Sequence, residues 1–236
     1  MKKWEDLPQN MQNEQVRKYY DILQKKKFSL FLKRAFDIVV SGGALLVLSP
    51  LFLALAIAIK LDSKGPVFYR QVRVSRYGGK FRIFKFRTMV QNADSGSSLT
   101  VGNDMRITKV GVFLRRHKLD ELSQLLDVLR GRMSFVGTRP EVPEYVATYT
   151  DEMFATLLMP AGITSRASIY YRDESRLLAE SDDPEYTYIT KVLPDKMKHN
   201  LKAIETFSFL DDIKIIFMTV FAVSKNDETE KQMVVK

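Results

Sequence analysis

The sequence predicts a mostly helical α+β protein, with a re-entrant helix–break–helix in a membrane and a small cytosolic domain of short strands and amphipathic interfacial helices. Three observations carry this expectation. Residues 38–59 run for 22 positions without a charge. A helix of that length is roughly 33 Å long, enough to cross a bilayer core. It is too long and too far into the chain for an ordinary signal-peptide core. Ser49-Pro50 lies near the middle of the run; proline lacks an N–H and clashes with the preceding turn, so a helix kinks or breaks there. The Ser49 hydroxyl is at hand for a freed backbone group, which lipid would leave unpaired. Basic residues flank both ends: Lys25, Lys26, Lys27, Lys33 and Arg34 before the run, and Lys60, Lys64, Arg70, Arg73 and Arg76 after it. A spanning helix has its positive bias on one side, so symmetric flanks favour both ends on the cytoplasmic face. A proline-kinked spanning helix and a buried helix of a soluble protein are the alternatives.

Composition narrows the chemistry. The 236 residues suit one substantial domain with something attached. A hydrophobic share of 45% with 11% aromatics supports a packed core. The absence of cysteine excludes disulfides, cysteine-ligated zinc, iron–sulfur clusters and a thiol nucleophile. Two histidines, His117 and His199, give no basis for a multi-histidine metal site. Thirty-seven Lys and Arg against 28 Asp and Glu leave a formal charge of +9. That charge suits nucleic acid, an anionic lipid surface or a phosphorylated substrate.

Along the chain, residues 1–34 have Val16, Tyr19, Tyr20, Leu23 and Phe28 at near-helical spacing, which predicts a polar helix leading to the membrane segment at 35–60. Ser63-Lys64-Gly65-Pro66 is a turn. Residues 67–69 and 81–86 read as short strands around an Arg76-Tyr77-Gly78-Gly79 hinge, and 91–104 as a polar loop. Leu119, Leu122, Leu125, Leu126 and Leu129 predict a helix that Gly131 ends. A short helix is expected within 139–156 and a turn at 159–162. Residues 195–223 predict one long helix, its apolar face buried or in the headgroup region, and 224–236 a solvated polar tail.

Chemistry is best placed at Asp120-Glu121, at the start of the 119–129 helix and just after Arg115-Arg116-His117-Lys118. Acids in a first helical turn ordinarily serve as caps. Among arginines, a carboxylate there is expected to stay ionised beside exposed N–H groups that attract phosphate. Such a carboxylate can act as a nucleophile, and its neighbour can hold a divalent cation. Arg82, Arg87, Arg106, Arg115 and Arg139 supply guanidiniums that grip phosphate, or form a basic surface facing solvent or headgroups.

An ordered set of short motifs then resembles one family. Lys33-Arg34-Ala35-Phe36-Asp37 precedes the apolar run and Ser49-Pro50 lies within it. Gly65-Pro66-Val67-Phe68-Tyr69-Arg70-Gln71, Phe84-Lys85-Phe86-Arg87-Thr88-Met89 and Asp104-Met105-Arg106-Ile107-Thr108 follow. Leu119-Asp120-Glu121-Leu122, Gly137-Thr138-Arg139-Pro140 and Pro160-Ala161-Gly162-Ile163-Thr164 complete the set. Together they resemble the bacterial sugar transferases, monotopic polyprenyl-phosphate phosphoglycosyl transferases. The sequence departs from that pattern at Ser123 and Thr138, each in place of a usual proline. Ala161 is one extra residue in Pro-Gly, and 165–190 holds Ser168-Ile169-Tyr170-Tyr171-Arg172 and a longer acidic insertion. The dyad is intact; the sugar is not carried over.

The resemblance implies that residues 61–223 are a catalytic domain on the cytoplasmic face of the bacterial inner membrane. Asp120 would attack the β-phosphate of a UDP-sugar, releasing UMP. Polyprenyl phosphate would then take the phosphosugar, starting a capsule, exopolysaccharide or other glycan. Glu121 would position Mg²⁺, and Lys85, Arg87, Arg115, Arg139 and Arg172 would contact substrate. The partners implied are the UDP-sugar, polyprenyl (undecaprenyl) phosphate and membrane lipids, with a homodimer compatible and no nucleic acid. A nucleic-acid-binding tether and a non-catalytic scaffold are the rival classes; the first lacks a stacking platform or reading helix.

Overall fold

Pro50 has no N–H with which to reach Leu46, and the chain breaks there. The helix α2 (Lys27–Val47) ends at Leu48, and α3 (Ser49–Asp62) begins with Pro50 in its first turn. The Ser49 hydroxyl donates instead to the Leu46 carbonyl at 2.8 Å, as the sequence reading anticipated. The two helices are bent by 62°. Neither alone is long and apolar enough to cross a membrane; the bent pair together is. Val39, Leu46, Val47, Leu53, Ile57 and Leu61 are exposed along it.

The computed structural model describes residues 1–90 and 106–234, which are mostly helical with two small sheets. The polar loop expected at 91–104 lies outside the described residues. Ahead of the hairpin, α1 (Glu14–Gln24) is capped by Asn13, whose Oδ1 accepts from the Val16 N–H at 2.9 Å. Its face of Val16, Tyr19, Tyr20 and Leu23 is buried in the largest core with Tyr145, Leu158, Met197 and Leu201. Residues 1–24 are therefore built into the domain as well as leading to α2, which begins at Lys27 and runs across residue 35.

The motif Lys33-Arg34-x-x-Asp37 docks α2 on the rest of the chain. Arg34 donates to the Val128 and Leu129 carbonyls (2.7 and 2.8 Å), satisfying the C-terminal end of the short helix α5 (Leu125–Leu129). Asp37 Oδ1 accepts from Ser134 Oγ and the Phe135 N–H, both at 3.1 Å. Lys33 Nζ donates to the Val136 carbonyl (2.7 Å) and pairs with Asp212 (2.6 Å). Gly131, at φ +75°, turns the chain away from α5; a Cβ there would press on Arg34 at 3.1 Å.

Two strands, β1 (Phe68–Val74) and β2 (Lys80–Phe86), pair antiparallel around the 76–79 hinge, as expected but longer. Tyr77 and Gly78 both take positive φ in that turn. The second sheet departs from the sequence reading. Residues 133–136 form β3 (Met133–Val136), and the turn expected at 159–162 leads instead into β4 (Ala161–Thr164), parallel to it. Parallel pairing over that separation leaves no local signal. The short helix expected in 139–156 is α6 (Pro143–Val146).

Two further helices differ from expectation. Between α4 (Lys109–Arg116) and α5, residues 119–124 wind as a 3-10 turn rather than joining α5 in one α-helix. After the short helices α7 (Arg166–Tyr170), α8 (Glu174–Ala179) and α9 (Pro184–Thr187), the helix expected over 195–223 breaks after Glu205 into α10 (Leu193–Glu205) and α11 (Phe209–Val234), so the tail expected from 224 continues a helix. The break resets the helical phase: Leu201, Ile204 and Phe207 are buried, whereas Leu210, Phe217 and Val220 are exposed and α11 buries Ile215 instead.

Candidate active site

Asp120 and Glu121 lie in the 119–124 turn, immediately after Lys118, whose left-handed backbone (φ 54°) makes the sharp bend out of α4. A lysine in that conformation costs roughly 1 kcal/mol, and such strain clusters at functional sites. Glu121 is tied down from two sides. Its Oε1 accepts from Lys85 Nζ on β2 and from Arg139 Nη2 in the loop after β3, each at 3.1 Å. Burial raises the Glu121 pKa, but the Arg139 and Lys85 cations outweigh it and hold the carboxyl well below the usual carboxylate range.

Asp120 differs. Burial, then the like charge of Glu121, push its carboxyl above the usual range, against the opposing pull of Lys85 and Arg115. The expectation that neighbouring cations keep the acid ionised therefore holds for Glu121, while Asp120 is the more basic member of the pair. Arg115 faces it from α4, held by a hydrogen bond from Nε to Thr88 Oγ1 at 3.0 Å.

The backbone around these side chains is set by close approaches. A Cβ on Gly111 would meet the Thr88 carbonyl at 2.0 Å, so α4 rests directly on the strand end that carries Thr88. Thr108 caps α4 through the Gly111 N–H at 3.0 Å. A Cβ on Gly162 would meet the Gly137 nitrogen at 2.1 Å. The two segments exchange bonds, Gly137 N–H to Thr164 O (3.0 Å) and Gly162 N–H to Thr138 O (2.9 Å), which fixes where Arg139 leaves the loop.

Of the predicted site residues, the fold brings together Asp120, Glu121, Lys85, Arg115 and Arg139. Arg87 does not join them. It lies just past the end of β2, is buried, and turns away to donate to the Ser63 and Ile59 carbonyls and Ser63 Oγ, closing the C-terminal end of α3. Arg172 is exposed after the helix α7 (Arg166–Tyr170), beside Asp173 at 3.4 Å. Ser49 and Pro50 form the hairpin break. Thr88, which orients Arg115, is a site residue that the sequence does not single out, although it lies within the Phe84–Met89 motif.

Among the described residues no group of three or more His, Cys, Asp or Glu gathers at one point. The oxygen donors are the Asp120 carboxylate and Glu121 Oε2, which carries no hydrogen bond from the described residues. A magnesium ion needs only one or two carboxylates when substrate phosphates and water complete its shell, so this donor set fits it.

Residues 28–226 match the bacterial sugar transferase family. The chain is 37% identical over 195 residues to the UDP-N-acetylgalactosamine-undecaprenyl-phosphate N-acetylgalactosaminephosphotransferase of Aeromonas hydrophila, covering 80% of this chain and 43% of that one. It is 38% identical over 195 residues to the UDP-glucose:undecaprenyl-phosphate glucose-1-phosphate transferase of Escherichia coli (80% and 39%). It is 32% identical over 207 residues to the exopolysaccharide production protein ExoY of Rhizobium meliloti (81% and 84%). The chain thus spans about two-fifths of the length of the first two relatives. On the breadth of the family match, this chain belongs to the bacterial sugar transferases.

Proposed function

We propose that this protein transfers a sugar 1-phosphate from a UDP-sugar to undecaprenyl phosphate, through a phosphosugar carried on Asp120. The observation that carries the reading is the asymmetry of the dyad. Glu121 is locked by two cations, while Asp120 receives no side-chain hydrogen bond from the described residues and is the stronger base. A carboxylate oxygen of Asp120 attacks the β-phosphorus. The bond from that phosphorus to the bridging oxygen breaks, and UMP leaves with the oxygen. A phosphate oxygen of the lipid then attacks the same phosphorus and displaces Asp120, restoring the carboxylate. Arg139, Lys85 and Arg115 bear the charge of the diphosphate through the first step and of the lipid phosphate through the second.

Glu121, with Asp120, would hold Mg²⁺, which when bound supplies charge neutralisation to the diphosphate and its leaving group. The hairpin enters and leaves one leaflet, turning back at Ser49-Pro50, on the cytoplasmic face of the bacterial inner membrane. Support for this comes from the exposed apolar residues of the bent pair, with Val112 and Phe113 on α4 and Phe217 and Phe221 on α11. Large apolar side chains exposed together on these helices are what a membrane-facing surface would present. Relatives named for N-acetylgalactosamine, glucose and galactose are 37%, 38% and 34% identical, so similarity does not choose the sugar; the product would start an exopolysaccharide or related glycan. UMP release by purified protein with Mg²⁺, undecaprenyl phosphate and a panel of UDP-sugars tests the reading. Release with one sugar and loss of it in D120N supports it; no release with any sugar rejects it.

A further inference from the structure

Away from the dyad, three buried side chains and the half-buried Glu174 form a polar chain that the reaction as described does not use. Lys196 on α10 is 3% exposed. Its Nζ donates to Glu174 Oε2 (2.8 Å) and Tyr188 Oη (3.3 Å) and lies 3.9 Å from Glu141 Oε1. Tyr188 Oη donates to Glu141 Oε1 at 2.7 Å. Burying an ammonium without partners costs several kcal/mol, so this lysine is there with its two carboxylates. Glu174 opens the helix α8 (Glu174–Ala179), and both Glu174 and Tyr188 lie in the 165–190 segment where the sequence departs from the family pattern. Glu141 stands two residues after Arg139. The stretch between them is pinned by Arg73 Nη1 to the Pro140 carbonyl (3.2 Å) and by Val74 N–H to the Glu141 carbonyl (2.9 Å). The chain of contacts therefore ends on the loop that presents Arg139.

We propose that the Glu174–Lys196–Tyr188–Glu141 chain positions Arg139 for the donor diphosphate, and that the 165–190 segment acts on the reaction through it. This rests on the reading that Arg139 contacts that diphosphate. Arg139 feels Glu121 first and the Glu141 and Glu174 carboxylates as well. With Lys196 and Tyr188 in place, the charge of Glu141 and Glu174 is satisfied internally, and the guanidinium stays turned to Glu121 and the incoming phosphate. Without them, two carboxylates compete for Arg139, and its grip on phosphate weakens before any chemical step changes.

The test is steady-state kinetics of the full chain in detergent or nanodiscs, with the UDP-sugar it turns over. Tyr188→Phe removes one oxygen and leaves Glu141 with the longer Lys196 contact and the charge of Arg73 nearby. Its KM for the UDP-sugar should rise about 5- to 10-fold, with kcat and the lipid-phosphate KM within about twofold of wild type. Lys196→Met should raise the donor KM further. Adding Glu141→Gln, which removes one opposing charge, should return it toward wild type. A purely structural role would lower the amount of active enzyme without moving KM. Wild-type donor KM in Y188F overturns the proposal, whether or not K196M folds. Failure of the wild-type chain to turn over any UDP-sugar would instead overturn the underlying reading, and this inference with it.

Discussion

Adjacent acids at one turn should respond to neutralisation with opposite sign. Glu121→Gln removes the charge that pairs with Lys85 and Arg139 at 3.1 Å each. Glu121 and Lys85 are about one-quarter exposed, and Arg139 is 44% exposed. The loss therefore falls between a surface pair, worth about 0–1 kcal/mol, and a broken buried pair, at about 3–5 kcal/mol. The loss is about 1–2 kcal/mol, which for a domain of this size lowers Tm by about 2–8 °C. Asp120→Asn removes a carboxylate that burial and Glu121 disfavour, so its Tm should equal or exceed that of the wild type while turnover falls by several orders of magnitude. The pH dependence follows from the same shifts. A carboxyl with a raised folded-state pKa holds its proton more tightly folded than unfolded, so the stability it contributes is full at acid pH and is lost as pH rises through the folded value. A carboxyl with a lowered pKa contributes stability above its unfolded value and loses it as pH falls. The Tm deficit of E121Q should thus shrink on acidification, and any Tm gain of D120N should vanish there. Thermal melts of both variants from pH 7 down to about pH 2.5, well below the unfolded carboxyl range of about 4, check this. Equal destabilisation by the two substitutions would refute the asymmetry assigned to the dyad.

Other substitutions probe what the fold contributes. Pro50→Ala restores the N–H toward the Leu46 carbonyl and should straighten the α2–α3 bend; a cysteine near residue 1 should then become accessible to an impermeant reagent in intact cells, whereas in the wild type both termini should be protected. Gly162→Ala puts a Cβ 2.1 Å from the Gly137 nitrogen, a backbone clash that should cost about 1–3 kcal/mol or more and displace Arg139, read as lower Tm with a raised donor KM. Asp127→Ala strips the Phe84 N–H of its 2.8 Å acceptor in a fully buried position and should cost about 1–3 kcal/mol, seen as a Tm drop of several degrees. Asp127 thus clamps β2 to α5.

What is legible in the sequence is local chemistry. Ser49-Pro50 announced the hairpin break because the missing N–H and the hydroxyl that replaces it are four residues or fewer apart. The strand pair around Gly78 and the acidic pair after Arg115 were legible for the same reason. What was not legible depends on residues far apart in the chain. The parallel pairing of Met133 with Ala161 rests on two glycines, 137 and 162, whose contact no periodicity records. Lys33, Arg34 and Asp37 look like membrane-flanking charges, yet their partners lie at Asp212, Val128 and Ser134. Arg87 shares strand parity with Lys85 but sits past the strand's end, and so serves α3 instead of the dyad. The break between α10 and α11 was hidden because apolar spacing continues through Phe207 while the helix does not.

The account stands or falls on whether Asp120 carries the phosphosugar. Intact-mass spectrometry of the purified protein, incubated with Mg²⁺ and its UDP-sugar but no lipid acceptor, tests this directly. The wild type should gain the mass of one sugar phosphate, lose it on addition of undecaprenyl phosphate, and show no gain in D120N. A wild type that forms lipid product without any such adduct, together with near-wild-type turnover by D120N, would contradict covalent catalysis and leave Asp120 as a cap at the start of a turn.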